Sequence, residues 1–177
     1  MNYIFSAIFL YFFLGFLLYI FQRRIIFNKS GHPGTPKDYN LDNTEEIYIK
    51  TEDNLELLSW YYKGDNSLPL LVYFHGNSFH IGDRAYRIQR YIEKNWSVLL
   101  VSWRGFGGNK GNPTEKNLYK DAEAVLKWIK NNTEFKFKEL VIYGESLGSG
   151  AAVEIGTKYK FLSIVLEAPF TSINDIA

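Results

Sequence analysis

The sequence contains no cysteine, which excludes a disulfide framework, a thiolate zinc centre and a cysteine nucleophile. Histidine is scarce: only His32, His75 and His80 occur in 177 residues, so an imidazole-rich metal site is not expected. Neither sign of charge is in excess, with 20 Lys plus Arg against 19 Asp plus Glu and a formal net charge of +1. A chain this close to neutral lacks the broad basic footprint of nucleic-acid binders, and no nucleic-acid partner is expected. Internal repeats and low-complexity tracts are missing too. The balance of 46% hydrophobic and 22% charged residues belongs to a folded chain about one domain long, not to a disordered one.

Apolar sequence is abundant at the N-terminus. From Tyr3 to Phe21, 19 residues pass without a charge, or about 28 Å of helix against a hydrocarbon core of roughly 30 Å. A signal peptide would bring a basic start, a shorter apolar core and a small-residue cleavage site, and this run has none of them. Residues 1–22 therefore read as an uncleaved transmembrane anchor, with the lipid bilayer as a partner. Arg23, Arg24, Lys29 and Lys37 all follow the span, which by the positive-inside rule puts the remainder in the cytoplasm. Residues 23–40 are rich in Gly, Pro and polar side chains from Asn28 onward, the composition of a linker or an ordered surface loop. Residues 41–177 read as the domain proper.

That domain alternates strand and helix. Glu45 to Lys50 and Leu55 to Tyr62 suit an antiparallel hairpin. Pro69 to Phe74, Trp96 to Ser102, Glu139 to Tyr143 and Leu162 to Leu166 are near-continuous apolar runs, as in strands covered on both faces. Helices are expected between them at about Asp83 to Lys94, Thr114 to Asn131 and Leu147 to Tyr159. The middle one is the clearest, with Leu118, Ala122, Val125, Leu126 and Ile129 at helical spacing and Thr114 as its cap. The pattern predicts an α/β domain with a mostly parallel sheet.

The chemistry-bearing motif is Gly144-Glu145-Ser146-Leu147-Gly148, a G-x-S-x-G between a buried strand and a small-residue helix start. At such a strand-to-helix turn the serine takes strained backbone angles, and Gly144 and Gly148 stand where side chains would collide with neighbouring backbone. The turn lifts the Ser146 hydroxyl out of the sheet and aims the Leu147 N–H, with the positive end of the helix, at an oxyanion. The loop His75-Gly76-Asn77-Ser78 follows another apolar run and offers the Asn77 N–H as a second oxyanion donor. Gly76 is a loop glycine. His75 reads as a structural histidine bonded to nearby backbone, because an elbow's base comes later in chain order. Arg104 reads as a loop-holding residue bonded to carbonyls or as a surface ion pair; Glu145 reads as a solvated charge or part of the entrance; Trp103 and Phe106 suit either an apolar wall for an acyl group or plain core packing. Neither G-x-G-x-x-G nor G-x-x-x-x-G-K-S/T occurs, which sets nucleotide binding aside.

His75-Gly76-Asn77-Ser78, Ser102-Trp103-Arg104-Gly105-Phe106-Gly107-Gly108-Asn109, Gly111-Asn112-Pro113-Thr114-Glu115, Asp121-Ala122, Gly144 to Gly148 and Glu167 to Ser172 together resemble the α/β-hydrolase superfamily, and within it the Bem46-like membrane-anchored serine hydrolases. The resemblance implies Ser146 as nucleophile, Asn77 and Leu147 as oxyanion donors, and a serine hydrolase that uses no cofactor or metal. The sequence departs from the family after Ser146, where no His occurs and Asp175 is the only Asp, in a stretch that reads as helix or loop. The expectation is the first six of about eight strands, with the triad acid and base beyond residue 177 and this chain inactive alone. The function so read is cleavage of an ester, thioester or amide in a small-molecule or acylated substrate, through a Ser-His-Asp type acyl-enzyme. The alternative is a non-catalytic, membrane-tethered binding protein or degenerate fragment of the same fold. Substrate and oligomeric state are not encoded in any motif.

Overall fold

The computed structural model describes residues 2–29 and 31–170. Helix α1 (Asn2–Ile26) is uncharged from Tyr3 to Gln22 and carries Arg23 and Arg24 in its last turn. Its stretch Tyr3–Gln22 has a mean hydropathy of 2.4 and buries none of its side chains against the rest of the chain, so it is long and apolar enough to cross a bilayer. A two-residue strand β1 (Asn28–Lys29) follows at once. The segment after it is held against the domain: Pro33 and Pro36 are buried, and Pro36–Tyr39 forms a 3-10 turn.

The sheet has six strands in the order β2 (Thr44–Lys50), β3 (Glu56–Tyr62), β6 (Ser97–Val101), β4 (Leu70–Phe74), β7 (Leu140–Glu145) and β8 (Ser163–Glu167). The first two form the expected antiparallel hairpin, β3 runs antiparallel to β6, and the other neighbours are parallel. Strands β4 and β6 are buried at every residue, as continuous apolar runs require. The strand β5 (Ser78–Phe79), absent from the sequence reading, pairs in parallel with β1 in a separate two-stranded ribbon.

Helices cover both faces. On one face α3 (Glu115–Asn132) and α4 (Leu147–Lys158) lie over Leu70, Val72, Phe74, Leu140 and Ile142. On the other, α2 (Ala85–Ile92) and the 3-10 turn Ile81–Arg84 cover Leu71, Tyr73, Val98 and Leu100. Thr114 caps α3 as its position suggested, extended at φ −140° with its hydroxyl accepting from the Asn117 N–H at 3.2 Å. At one edge β8 leaves Ile164, Val165 and Leu166 more than a third exposed.

From β4 the chain crosses to β6 on one side and later to β7 on the other, so the strand order reverses beside β4. In open α/β sheets the crevice outside the strand carboxyl ends at such a reversal is where sites form. Here it lies between the residues that follow Phe74 and those that follow Glu145, brought level by the pairing of Phe74 with Gly144.

Candidate active site

Ser146 sits at this crevice with φ 46° and ψ −111°, a conformation that a non-glycine residue holds only under strain. The surrounding packing enforces it. A side chain at Gly144 would meet the Gly148 carbonyl oxygen and Ser149 Cα at 2.7 Å, and one at Gly148 would fall on the Phe74 carbonyl. Both glycines thus let α4 start directly against the ends of β7 and β4. Ser146 N–H donates to Glu167 O at 2.8 Å and Ser149 N–H to Ser146 O at 2.8 Å, tying the turn to β8 and to the first turn of α4. The Leu147 N–H opens that first turn, where the helix offers it no carbonyl four residues back. Beside Leu147 a cleft of about 190 Å³ opens between α3 and α4, lined by Leu118, Tyr119, Val153, Pro169 and Phe170 among others.

The loop after β4 closes the other side. A Cβ on Gly76 would lie 3.1 Å from Glu145 Oε1 and 3.4 Å from the Ser146 Cβ, so this loop packs closely against the candidate nucleophile and the residue before it. Asn77 follows and is half-buried, its side-chain oxygen accepting from the Ser78 hydroxyl at 3.3 Å. His75 is fully buried and its ring is engaged at both nitrogens. Nδ1 faces the Gly76 carbonyl at 2.6 Å, which makes it the donor, and leaves Nε2 to accept a long 3.4 Å contact from the Trp103 N–H. Burial and the nearby Arg84 charge push its pKa down to about 3, so the ring is neutral and serves the loop's shape. The Trp103 indole N–H in turn donates to the His75 carbonyl at 2.8 Å.

A clamp that the sequence reading did not contain joins the two sides. Arg84 forks onto Glu145 with Nη2 to Oε1 at 2.7 Å and Nε to Oε2 at 3.1 Å, while its Nη1 donates to Ser78 O at 2.8 Å. The Tyr73 hydroxyl donates to the same Glu145 Oε2 at 2.8 Å. Glu145 is therefore not a solvated charge. Burial works against its ionised form, but the Arg84 guanidinium outweighs that and holds its carboxyl below the ordinary value. A second set lies one register step away, where Tyr143 and Arg87 both donate to Glu167 Oε2 at 2.7 and 2.5 Å and the Tyr73 and Tyr143 rings stack at 4.6 Å.

Arg104 is buried and bonds carboxylates instead of carbonyls. Its Nη2 and Nε reach Asp121 Oδ1 at 2.6 and 2.8 Å, and Nη1 reaches Asp53 Oδ2 at 2.7 Å. It thereby ties the β2–β3 turn to α3. Asp121 was legible in principle as the one acid on the apolar stripe of α3. Trp103 and Phe106 are fully buried core residues, with Trp103 stacked on Phe74 at 5.0 Å. His32 Nδ1 accepts from the Gly34 N–H at 3.1 Å, and His80 lies 3.0 Å from Asp83. Asp175 lies outside the described residues. Among the described residues no group of three or more His, Cys, Asp or Glu side chains is placed to hold a metal ion.

The family described as serine aminopeptidase, S33, a hydrolase family, matches residues 66–177. The chain belongs to this α/β-hydrolase family. Over 176 residues it is 31% identical to protein bem46 of Schizosaccharomyces pombe, covering 92% of this chain and 58% of that protein. It is 31% identical to the α/β hydrolase domain-containing protein WAV2 of Arabidopsis thaliana, covering 91% of this chain and 56% of that one. A Saccharomyces cerevisiae protein described as a membrane protein is 29% identical, with 90% and 58% covered. Among solved structures, an esterase of Pyrococcus furiosus superposes with a TM-score of 0.64 at 25% identity, over 81% of this chain and 56% of that one. The chain thus spans under three fifths of the length of these relatives.

Proposed function

We propose that this chain carries the nucleophile half of a membrane-anchored serine hydrolase. Ser146 attacks the carbonyl of an ester, thioester or amide, and the Asn77 and Leu147 N–H groups stabilise the tetrahedral oxyanion. A histidine held by an acid, both contributed by the part of the relatives' length that this chain does not span, takes the Ser146 proton and returns it to the leaving group. Helix α1 anchors the protein, and the charges after it favour a cytoplasmic domain. The observation that carries the reading is the strained conformation of Ser146, φ 46° and ψ −111°, held between β7 and α4 by the glycines at 144 and 148, the kind of strain that clusters at active sites. The family match and the esterase likeness support it.

The test is covalent labelling of the full-length protein by a fluorophosphonate probe. Wild type is expected to label and Ser146→Ala to lose the label while keeping its circular dichroism. A folded full-length protein that stays unlabelled would turn the reading towards the non-catalytic binding protein.

A further inference from the structure

Resting on that reading, we infer that the segment leaving α1 is built into the catalytic edge, and that the site draws acyl lipids from the same bilayer that holds α1. The apolar span ends at Gln22 and α1 at Ile26. The very next residue, Phe27, is buried at 8% exposure and meets Phe106 edge-on at 6.5 Å, and Phe106 meets His75 edge-on at 5.4 Å. The backbone of Asn28 and Lys29 then pairs with Ser78 and Phe79, immediately after Asn77. Further on, a side chain at Gly107 would touch Pro33 at 3.5 Å, and Tyr39 OH donates to Pro33 O at 2.7 Å. All these contacts fall at the ends of β4 and β6 from which the Ser146 crevice opens. Phe27 lies five residues after Gln22, about 7.5 Å of helix, so the segment that pairs beside the Asn77 loop leaves the apolar span by little more than one helical turn.

A flexible tether would let the domain present any face to the bilayer. Strand pairing directly to the oxyanion loop does not, because turning the domain away would break the β1–β5 ribbon or pull Phe27 from the core. The edge so fixed is suited to an acyl chain with a polar head: Phe79 is 54% exposed beside β1, as interfacial aromatics are, and the cleft that extends from Leu147, the candidate oxyanion donor, is lined by Leu118, Val153, Pro169 and Phe170 together with Glu115 and Glu154. The substrate class is a long-chain carboxylic ester of a polar alcohol. The Ser146 oxygen bonds to the acyl carbon as the ester C–O bond breaks, and the serine proton passes through the base to the departing alcohol. Water then adds to the acyl carbon, releasing the fatty acid and restoring the Ser146 hydroxyl.

The experiment uses the full-length protein in phosphatidylcholine vesicles. A fluorogenic dioleoyl glycerol ester is placed in the same vesicles or in separate protein-free ones, alongside soluble p-nitrophenyl acetate. Ser146→Ala defines the background. Between Ile26 and Phe27 a Gly/Ser insertion of about 20 residues, spanning roughly 25 Å, leaves both α1 and the β1–β5 ribbon intact. The expected result is same-vesicle hydrolysis about tenfold faster than separate-vesicle hydrolysis. The insertion should cut the same-vesicle rate about fivefold while leaving the soluble ester unchanged, since it removes only orientation. Ser146-dependent cleavage of the soluble ester with equal rates for the two vesicle arrangements, or with no effect of the insertion, overturns the inference alone. No Ser146-dependent cleavage of any substrate overturns the hydrolase reading and the inference together.

Discussion

Arg104 and Arg84 both fork onto a carboxylate, yet they hold different things. Arg104, 2% exposed, binds Asp121 and Asp53 and joins the β2–β3 turn to α3. Arg84, 10% exposed, binds Glu145, the residue before Ser146, and the Ser78 carbonyl of the facing loop. The same side-chain chemistry thus secures the architecture in one place and the geometry of the crevice in the other. A planar fork with five donors suits both tasks, because it fixes distance and angle at once.

The contrast can be broken or sharpened by mutation. Asp121→Ala should be the most damaging change, since it leaves Arg104 buried with only the Asp53 side of its fork satisfied. A loss of about 3–5 kcal/mol in urea unfolding is expected. Probe labelling of whatever remains folded should stay near wild type. Arg84→Met should do the reverse, costing about 2 kcal/mol in stability but slowing fluorophosphonate labelling about tenfold or more. Equal labelling by the two variants would erase the distinction. His75, between the two clamps, sets the pH dependence. With its pKa near 3 when folded and an ordinary value near 6.5 when unfolded, the unfolded chain binds the extra proton in that window. Stability is therefore full above pH 6.5 and falls by about 1.4 kcal/mol per pH unit below it. His75→Asn should remove that slope in pH-resolved denaturation. The smallest effect belongs to Arg87→Ala. Its pair with Glu167 is about a third exposed on each side, so unfolding should shift by no more than about 1 kcal/mol.

Much of this was legible in the residues themselves. The buried strands, the hairpin and α3 follow from uninterrupted apolar runs, alternation and a 3.6-residue stripe, signals that packing reinforces instead of overriding. Ser146 was legible because its turn needs glycine at 144 and 148, and steric need leaves a mark in sequence. The Arg84–Glu145 clamp left no such mark, since a salt bridge across 61 residues has no periodicity and a lone Arg or Glu resembles any surface charge. Residues 23–40 hid for a related reason. Gly and Pro there suggested a linker or an ordered surface loop, while among the residues whose burial is described Phe27, Pro33 and Pro36 are buried, too widely spaced to form a pattern. Leu162 to Leu166 alone reads as an interior strand, and its exposure at the sheet edge follows only from the expectation that six of about eight strands are present.

The hydrogen bond from Ser146 N–H to Glu167 O has a consequence for the order of synthesis. The amide of the candidate nucleophile is pinned by a strand that leaves the ribosome 21 residues after it. Chain elongation at roughly 5–20 residues per second gives the growing polypeptide a second or more with the glycines and the serine made but the turn not yet locked. A nascent chain in that interval carries an ordinary serine. The strained turn is therefore held in place only once β8 has joined the sheet, so that the geometry of residues 144–148 is among the last features of this sheet to be completed.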